Sequence, residues 1–181
     1  MTSKMKFKSI AVAGMLSVIP VIAQTQTKSV ESVLDWDVNP IKCLALNMYH
    51  EARDQGTAGI LAVSAVVLNR VRDKRFPNSI CEVIYQGPIR ESWKRNGTYF
   101  PVKNKCQFSW YCDGKSDTPH NKKQYQRLLE LSEAILYNKM PTVDITDGAL
   151  FYHADHIKPG WARTKQRTTE FGDHIFYRWK K

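Results

Sequence analysis

The chain has no Cys-x-x-Cys pair, no His-Glu-x-x-His and no Gly-x-Ser-x-Gly. Those gaps remove the strongest sequence signals for a zinc site, a zinc peptidase and a serine nucleophile on a strained elbow. Zinc-finger, RNP and basic-helix signatures are missing as well. Lysines and arginines are scattered from Lys94 to Lys181 without the aromatic interleaving of a single-strand reader. Nucleic acid is therefore not the expected partner. Acidic residues are scarce, 17 against 27 Lys and Arg, for a net charge of +10. Such a surface is drawn to polyanions, whether nucleic acid, anionic lipid or an acidic cell wall, and charge alone does not separate these. No internal repeat is present.

Long apolar runs are also lacking. The longest, Ile10 to Ala23, has 14 residues, too few to span a bilayer comfortably. It follows Lys4, Lys6 and Lys8, and Val21-Ile-Ala23 offers small or apolar residues where a signal peptidase reads. Residues 1–23 read as a signal peptide cleaved before Gln24, so no membrane span is expected in the mature form. The location expected is periplasmic or extracellular. The mature chain would keep 158 of 181 residues and a net charge of +7. That length suits one domain with a real core. Four cysteines, Cys43, Cys81, Cys106 and Cys112, fit export as two disulfides, with three pairings open.

Residues 24–39 are polar and read as a flexible lead-in to a domain over 40–181. Asn39 and Pro40 suit the start of a helix that ends near Asp54-Gln-Gly56. A second helix, about Thr57 to Val71, is apolar on nearly every face and belongs at the domain centre. Phe76-Pro-Asn-Ser79 can cap a short helix over Ile80 to Tyr85. Gln86 to Lys105 lacks periodicity and reads as a long loop. Asp117-Thr-Pro119 is expected to open an amphipathic helix running to Asn138. Ala149–His153, Gln166–Phe171 and His174–Arg178 are β-rich. The fold class expected is α+β: helices first, then a small antiparallel sheet toward the C-terminus.

One residue breaks the pattern. Ile41, Leu44, Ala45, Met48 and Ala52 form one helical stripe, and Glu51 falls on it, seven residues after Leu44. Burial raises a carboxyl pKa. A carboxyl that stays protonated near neutral pH is the general acid that glycosidic bond cleavage needs. The bland alternative is a structural ion pair with Arg53 or Arg70. A metal cluster of His50, His153, His156 and His174 with Glu51 has only weak spacing support. No metal and no organic cofactor is expected.

Ala45-Leu-Asn-Met-Tyr-His-Glu-Ala-Arg53, Gly59 through Val71 and Phe76 through Gln86 together resemble the cell-wall hydrolase family of spore-cortex-lytic enzymes. Cys106-Gln-Phe-Ser-Trp110, Asp113-Gly114, Gly148 through His153, Pro159-x-Trp161 and Phe171 through Tyr177 continue the match in order. The resemblance implies a lysozyme-like fold and cleavage of peptidoglycan glycan strands, the bond being that between N-acetylmuramic acid and N-acetylglucosamine. It places the catalytic glutamate at Glu51 and implies a lytic transglycosylase that forms a 1,6-anhydro sugar. A single carboxyl can serve as acid and then as base in that reaction. The family run usually reads E-A-R-G-E, whereas this chain has Glu51-Ala-Arg-Asp-Gln55. The second glutamate is replaced by Gln55, so a two-acid hydrolase would have to do without it or use Asp54, which weakens that mechanism and leaves the one-acid mechanism intact.

Substrate-binding candidates are Gln107, Ser109, Tyr49, Asn69, Tyr152, His153 and Trp161. Gln107 and Ser109 alternate about Phe108 and would face one side of an extended segment. The aromatics offer flat faces to sugars, against the alternative of ordinary core packing. Asn69 either orients Glu51 or stitches helices. The molecule is expected to act as a monomer. The rivals are a muramidase-type hydrolase of the same bond, a non-catalytic wall-binding protein, and a secreted nucleic-acid binder.

Overall fold

Asn39 caps the first helix by accepting hydrogen bonds from the backbone N–H groups of Ile41 (3.0 Å) and Lys42 (3.3 Å). Pro40 occupies the first turn, where its missing N–H costs nothing. In the computed structural model the described residues are 39–140 and 143–180. The expected signal peptide and nearly all of the lead-in lie outside the described residues. Helix α1 spans Pro40–Ala52 and buries Leu44, Ala45, Met48 and Ala52, the stripe read from the sequence, with Ile41 only half-buried. After a three-residue turn, α2 spans Gly56–Arg72. Gly56 takes φ +66°, a conformation that strains any side chain, so the two helices can follow closely.

Helix α2 runs through the centre, with Ala62, Val63, Val66 and Val67 fully enclosed. Helix α3, Ile80–Ile84, is capped by Ser79. Helix α4, Lys122–Leu136, packs along α1. Leu44, Met48, Tyr49, Val67, Ile84 and Leu128 belong to one core cluster. Each aliphatic member is worth roughly 1.5–3 kcal/mol of transfer free energy. Two disulfides close the fold, Cys43–Cys81 between α1 and α3 and Cys106–Cys112 across a short loop.

Two expectations are corrected. Helix α4 starts at Lys122, not Asp117, because Asn121 supplies the cap by accepting from Gln124 N–H (3.0 Å). The stretch before it is held instead by α1, through Tyr49 Oη accepting from Asn121 N–H (2.9 Å). The loop expected over Gln86 to Lys105 contains a hairpin, β1 (Ile89–Glu91) against β2 (Tyr99–Pro101), with Arg90 opposite Phe100. Its strands are three residues long and expose most of both faces, so no period-2 pattern marks them.

The C-terminal sheet is as expected: β3 (Phe151–Ala154), β4 (Gln166–Phe171) and β5 (His174–Arg178), antiparallel in the order β3-β5-β4. Tyr152 pairs with Phe176, and His153 with Ile175. Side chains alternate across a sheet. Tyr152 and Phe176 accordingly pack inward on the Ala62, Val63 and Val66 stripe of α2. His153, Ile175 and Tyr177 occupy the opposite face.

Candidate active site

Glu51 lies in the last turn of α1, where the helix meets the sheet. Tyr152 on β3 donates its hydroxyl hydrogen to Glu51 Oε2 at 2.8 Å, across 101 positions of sequence. Oε1 has no hydrogen-bond partner among the described residues. Glu51 keeps some surface, but its carboxyl group is enclosed. Burial pushes its pKa up; the Tyr152 hydrogen bond and the more distant Arg70 charge pull the other way without cancelling that rise. The alternative of a structural ion pair with Arg53 or Arg70 is not met among the described residues. Arg53 reaches Asp54 (3.3 Å) and lies over the Tyr49 ring (5.1 Å). Arg70 is buried, donates through Nε to the Leu150 carbonyl (2.8 Å), and packs between the Phe76 and Phe108 rings. A charge held beside the carboxyl yet not bonded to it tempers its pKa and leaves its proton available.

Glu51 opens into a groove of about 480 Å³. One wall is the His50 and Trp110 pair, stacked at 4.7 Å, with Ser109 beside them. Trp110 is fixed by its Nε1–H donating to Asn47 Oδ1 (3.1 Å). The other wall is the segment before α4, carrying Asp113, Lys115 and Asp117, of which only Asp117 falls within the helix expected from sequence. His50 Nε2–H donates to the Asp117 carbonyl (3.1 Å) and ties the walls together. Burial raises the Asp117 carboxyl pKa. This wall was missed because nothing local marks it; only the cap at Asn121 separates it from α4.

The sequence candidates divide. Ser109 lines the groove and Tyr152 touches Glu51. Gln107 and Ser109 are exposed on either side of buried Phe108, but Ser109 begins a 3-10 turn, Ser109–Cys112, so the extended segment expected to align the two side chains ends at Phe108. Tyr49 borders the groove, but its ring is buried and its hydroxyl is taken by Asn121, which suits a wall. Asn69 is engaged elsewhere, donating to Asp144 (2.9 Å) and the Ala149 carbonyl (3.1 Å), so its amide stitches α2 to the segment before β3. His153 and Trp161 stand on the outer face of the sheet. His153 Nδ1 faces the Ala154 carbonyl (2.8 Å) and Nε2 faces the Tyr177 hydroxyl (3.0 Å). Trp161 packs edge-on against both rings. Among the described residues no three His, Cys, Asp or Glu side chains group as metal ligands.

Gln55 has a clear structural task. Its Nε2 donates to Asp173 Oδ2 (3.0 Å) and its Oε1 accepts from Asp173 N–H (2.7 Å). The amide thus clips the α1–α2 turn to the β4–β5 turn, four residues from Glu51. Asp54 is exposed and paired with Arg53.

Known proteins share this architecture. Over 80% of this chain and 98% of the other, the fold matches the catalytic domain of the germination-specific lytic transglycosylase SleB from Bacillus anthracis, with TM-score 0.54 and 26% identity. The Bacillus cereus SleB catalytic domain gives TM-score 0.52 at 26% identity, covering 79% of this chain and 92% of that one. The fold is therefore lysozyme-like, a helical core with a small sheet. A spore cortex-lytic enzyme of Bacillus subtilis is 44% identical over 139 residues, which is 76% of this chain and 37% of that protein. One from Oceanobacillus iheyensis is 26% identical over 151 residues, 83% of this chain and 45% of the relative. The chain thus spans less than half the length of these curated relatives. The profile of the Cell Wall Hydrolase family matches residues 54–177, beginning three residues after Glu51. With that match covering more than half its length, the chain belongs to the cell wall hydrolase family.

Proposed function

We propose that this protein is an exported enzyme that cleaves peptidoglycan glycan strands as a lytic transglycosylase, with Glu51 as its acid and base. The observation that carries the proposal is an enclosed carboxyl with a raised pKa, one oxygen held by Tyr152 and the other unclaimed, opening into a groove. Family membership and the likeness to the lytic transglycosylase domain of SleB from Bacillus anthracis support the same chemistry.

Glu51 gives its proton to the oxygen joining N-acetylmuramic acid to N-acetylglucosamine, and the glycosidic bond breaks. The resulting carboxylate is stabilised by the Tyr152 hydroxyl and the Arg70 charge. It then takes the proton from the muramic C6 hydroxyl as that oxygen closes on the anomeric carbon. The proton count balances, Glu51 ends as it began, and no water enters. Ser109 and exposed Gln107 supply hydrogen bonds to N-acetyl and hydroxyl groups, and the basic surface holds the enzyme on the anionic wall.

A hydrolytic outcome has one structural support: Asp113 and Asp117 line the same groove and offer a second carboxylate to activate water. Mass spectrometry of products released from purified sacculi decides. Anhydro products, lighter by one water, support the transglycosylase, and hydrated products support the hydrolase. Glu51→Gln should abolish release while wall binding persists. Release at the parent rate by that variant would remove Glu51 from the chemistry.

A further inference from the structure

His153 and Trp161 lie outside the Glu51 groove, and the face they occupy has a cavity of its own. It measures about 590 Å³ and is bounded by β3, β5 and the turn Gly160–Thr164. Alternation puts it on the opposite side of the sheet from Tyr152 and Glu51. The cavity presents two kinds of surface. Its floor is apolar, including Ile157, Ala162 and Ile175. Its charged lining is Lys158, Arg163 and Asp155. Lys158 and Arg163 are exposed, and neither side chain has an ion-pair or hydrogen-bond partner among the described residues. Among the described residues the Asp155 side chain meets only His156, at 3.4 Å. The wall is rigid, because His153 stacks on Tyr177 at 5.2 Å and Trp161 packs against both rings.

We infer that this cavity is a recognition site for the acidic peptide stem of peptidoglycan, distinct from the groove that holds the glycan. The inference rests on the proposed function for its substrate. A stem alternates small alanine methyl groups with free carboxylates and carries one amine where its diamino acid is unlinked. The apolar floor suits the methyls, Lys158 and Arg163 suit the carboxylates, and Asp155 suits the amine. Glycan stripped of its stems keeps only the lactyl carboxylate on each muramic sugar, whereas the stem sets several carboxylates and an amine along an extended chain that can reach away from the groove. Connectivity allows it too. β3 is an edge strand; of its neighbouring residues, Tyr152 is bonded to Glu51 and His153 lines the cavity. An extended stem of four residues reaches roughly 13–14 Å. A stem on a sugar near Glu51 would pass over the β3 edge to enter the cavity.

The test uses the full mature chain carrying Glu51→Gln, with the soluble tripeptide L-alanyl-γ-D-glutamyl-diaminopimelate as probe, followed by NMR titration. The expected result is binding that weakens with salt, with chemical shifts perturbed at His153, Ile175 and Tyr177. Adding Lys158→Gln and Arg163→Gln should weaken it about tenfold or more, as loss of charge-assisted bonds implies. Both positions are exposed, so the variant keeps its fold. Unchanged affinity in the double variant, or equal affinity for the peptide with its carboxylates amidated, would overturn the inference. A parallel assay separates the two ideas. In the Glu51 background, K158Q/R163Q should raise KM on intact sacculi and leave cleavage of amidase-stripped glycan unchanged. If the parent cleaves neither substrate yet the tripeptide binds as described, the catalytic proposal fails and the stem site stands.

Discussion

Removing one hydroxyl from Tyr152 probes the candidate site without disturbing its packing. In Tyr152→Phe the ring keeps its neighbours, His174 at 5.0 Å and Phe176 at 5.5 Å, while Glu51 Oε2 loses a 2.8 Å hydrogen bond. That bond favours the ionised carboxyl, opposing the upward push of burial. Without it the Glu51 pKa moves further up. The protonated form is the one that can act as acid, so activity is present below the folded pKa and lost as pH rises through it. The alkaline limb of the pH profile should therefore move to higher pH in the variant. The rate at its optimum should still fall. The transition state develops negative charge on Glu51, and a hydrogen bond to a charged group is worth about 1.5–3 kcal/mol. That corresponds to a loss of roughly 10- to 150-fold in kcat. The assay is release of muropeptides from purified sacculi across pH, with near-ultraviolet circular dichroism as the folding control. A folded variant with parent rate, or one whose alkaline limb shifts to lower pH, would refute the role given to Tyr152.

Burial of Glu51 should also weaken the fold when the group ionises. Because its folded pKa is raised, the native state holds more protons than the unfolded chain between the two pKa values, and stability falls as pH rises through that interval. Glu51→Gln should therefore melt higher at pH 7, by about 2–4 °C for each kcal/mol recovered, with the gap closing below the unfolded pKa; calorimetry at both pH values checks this. Gln55→Glu would set a carboxylate against Asp173 Oδ2 and lose the donated bond. The site is exposed, so the loss in urea denaturation should be about 1 kcal/mol at pH 7 and smaller in acid, where one carboxyl of the pair is protonated. Replacing both members of Cys43–Cys81, which closes 38 residues, should cost about 4 kcal/mol. Replacing Cys106–Cys112, which closes 6, should cost about 2 kcal/mol. Equal losses in guanidinium melts would contradict the loop-entropy account.

Local chemistry made much of this molecule readable. The Asn39–Pro40 cap, the apolar stripe of α1 and the β-rich runs at 149–153, 166–171 and 174–178 are signals contained within a dozen residues. So is the anomaly of Glu51 on an apolar stripe. What escaped was long-range or unpatterned. Tyr152 meets Glu51 across 101 positions, and Asp173 meets Gln55 across 118; no local rule pairs them. The β1–β2 hairpin has no buried face to impose alternation. The wall bearing Asp117 has the composition of a helix start, and the helix is deferred by the Asn121 cap together with the tertiary bond from Asn121 N–H to Tyr49 Oη. Trp161 and His153 read from sequence as substrate-binding candidates for the Glu51 site, because sequence does not reveal which side of a sheet a residue faces until the sheet's inner partner is known.

That last point bears on how the two faces work together. Tyr152 and His153 are consecutive on a single edge strand, one bonded to the candidate acid and the other lining the cavity assigned to the peptide stem. In a pleated strand a slip of one residue exchanges the two faces. Their positions are fixed by the pairing of Tyr152 with Phe176 and His153 with Ile175 and by the inward packing of Phe176 on α2. The register of β3 on β5 thus sets the proton affinity of Glu51 and the shape of the second cavity at once. Phe176, fully buried and in contact with neither proposed ligand, is the residue that holds both. Truncating it to alanine should cost about 3–5 kcal/mol of stability. In whatever fraction remains folded, it should disturb cleavage and tripeptide binding together, whereas K158Q/R163Q should disturb only the second.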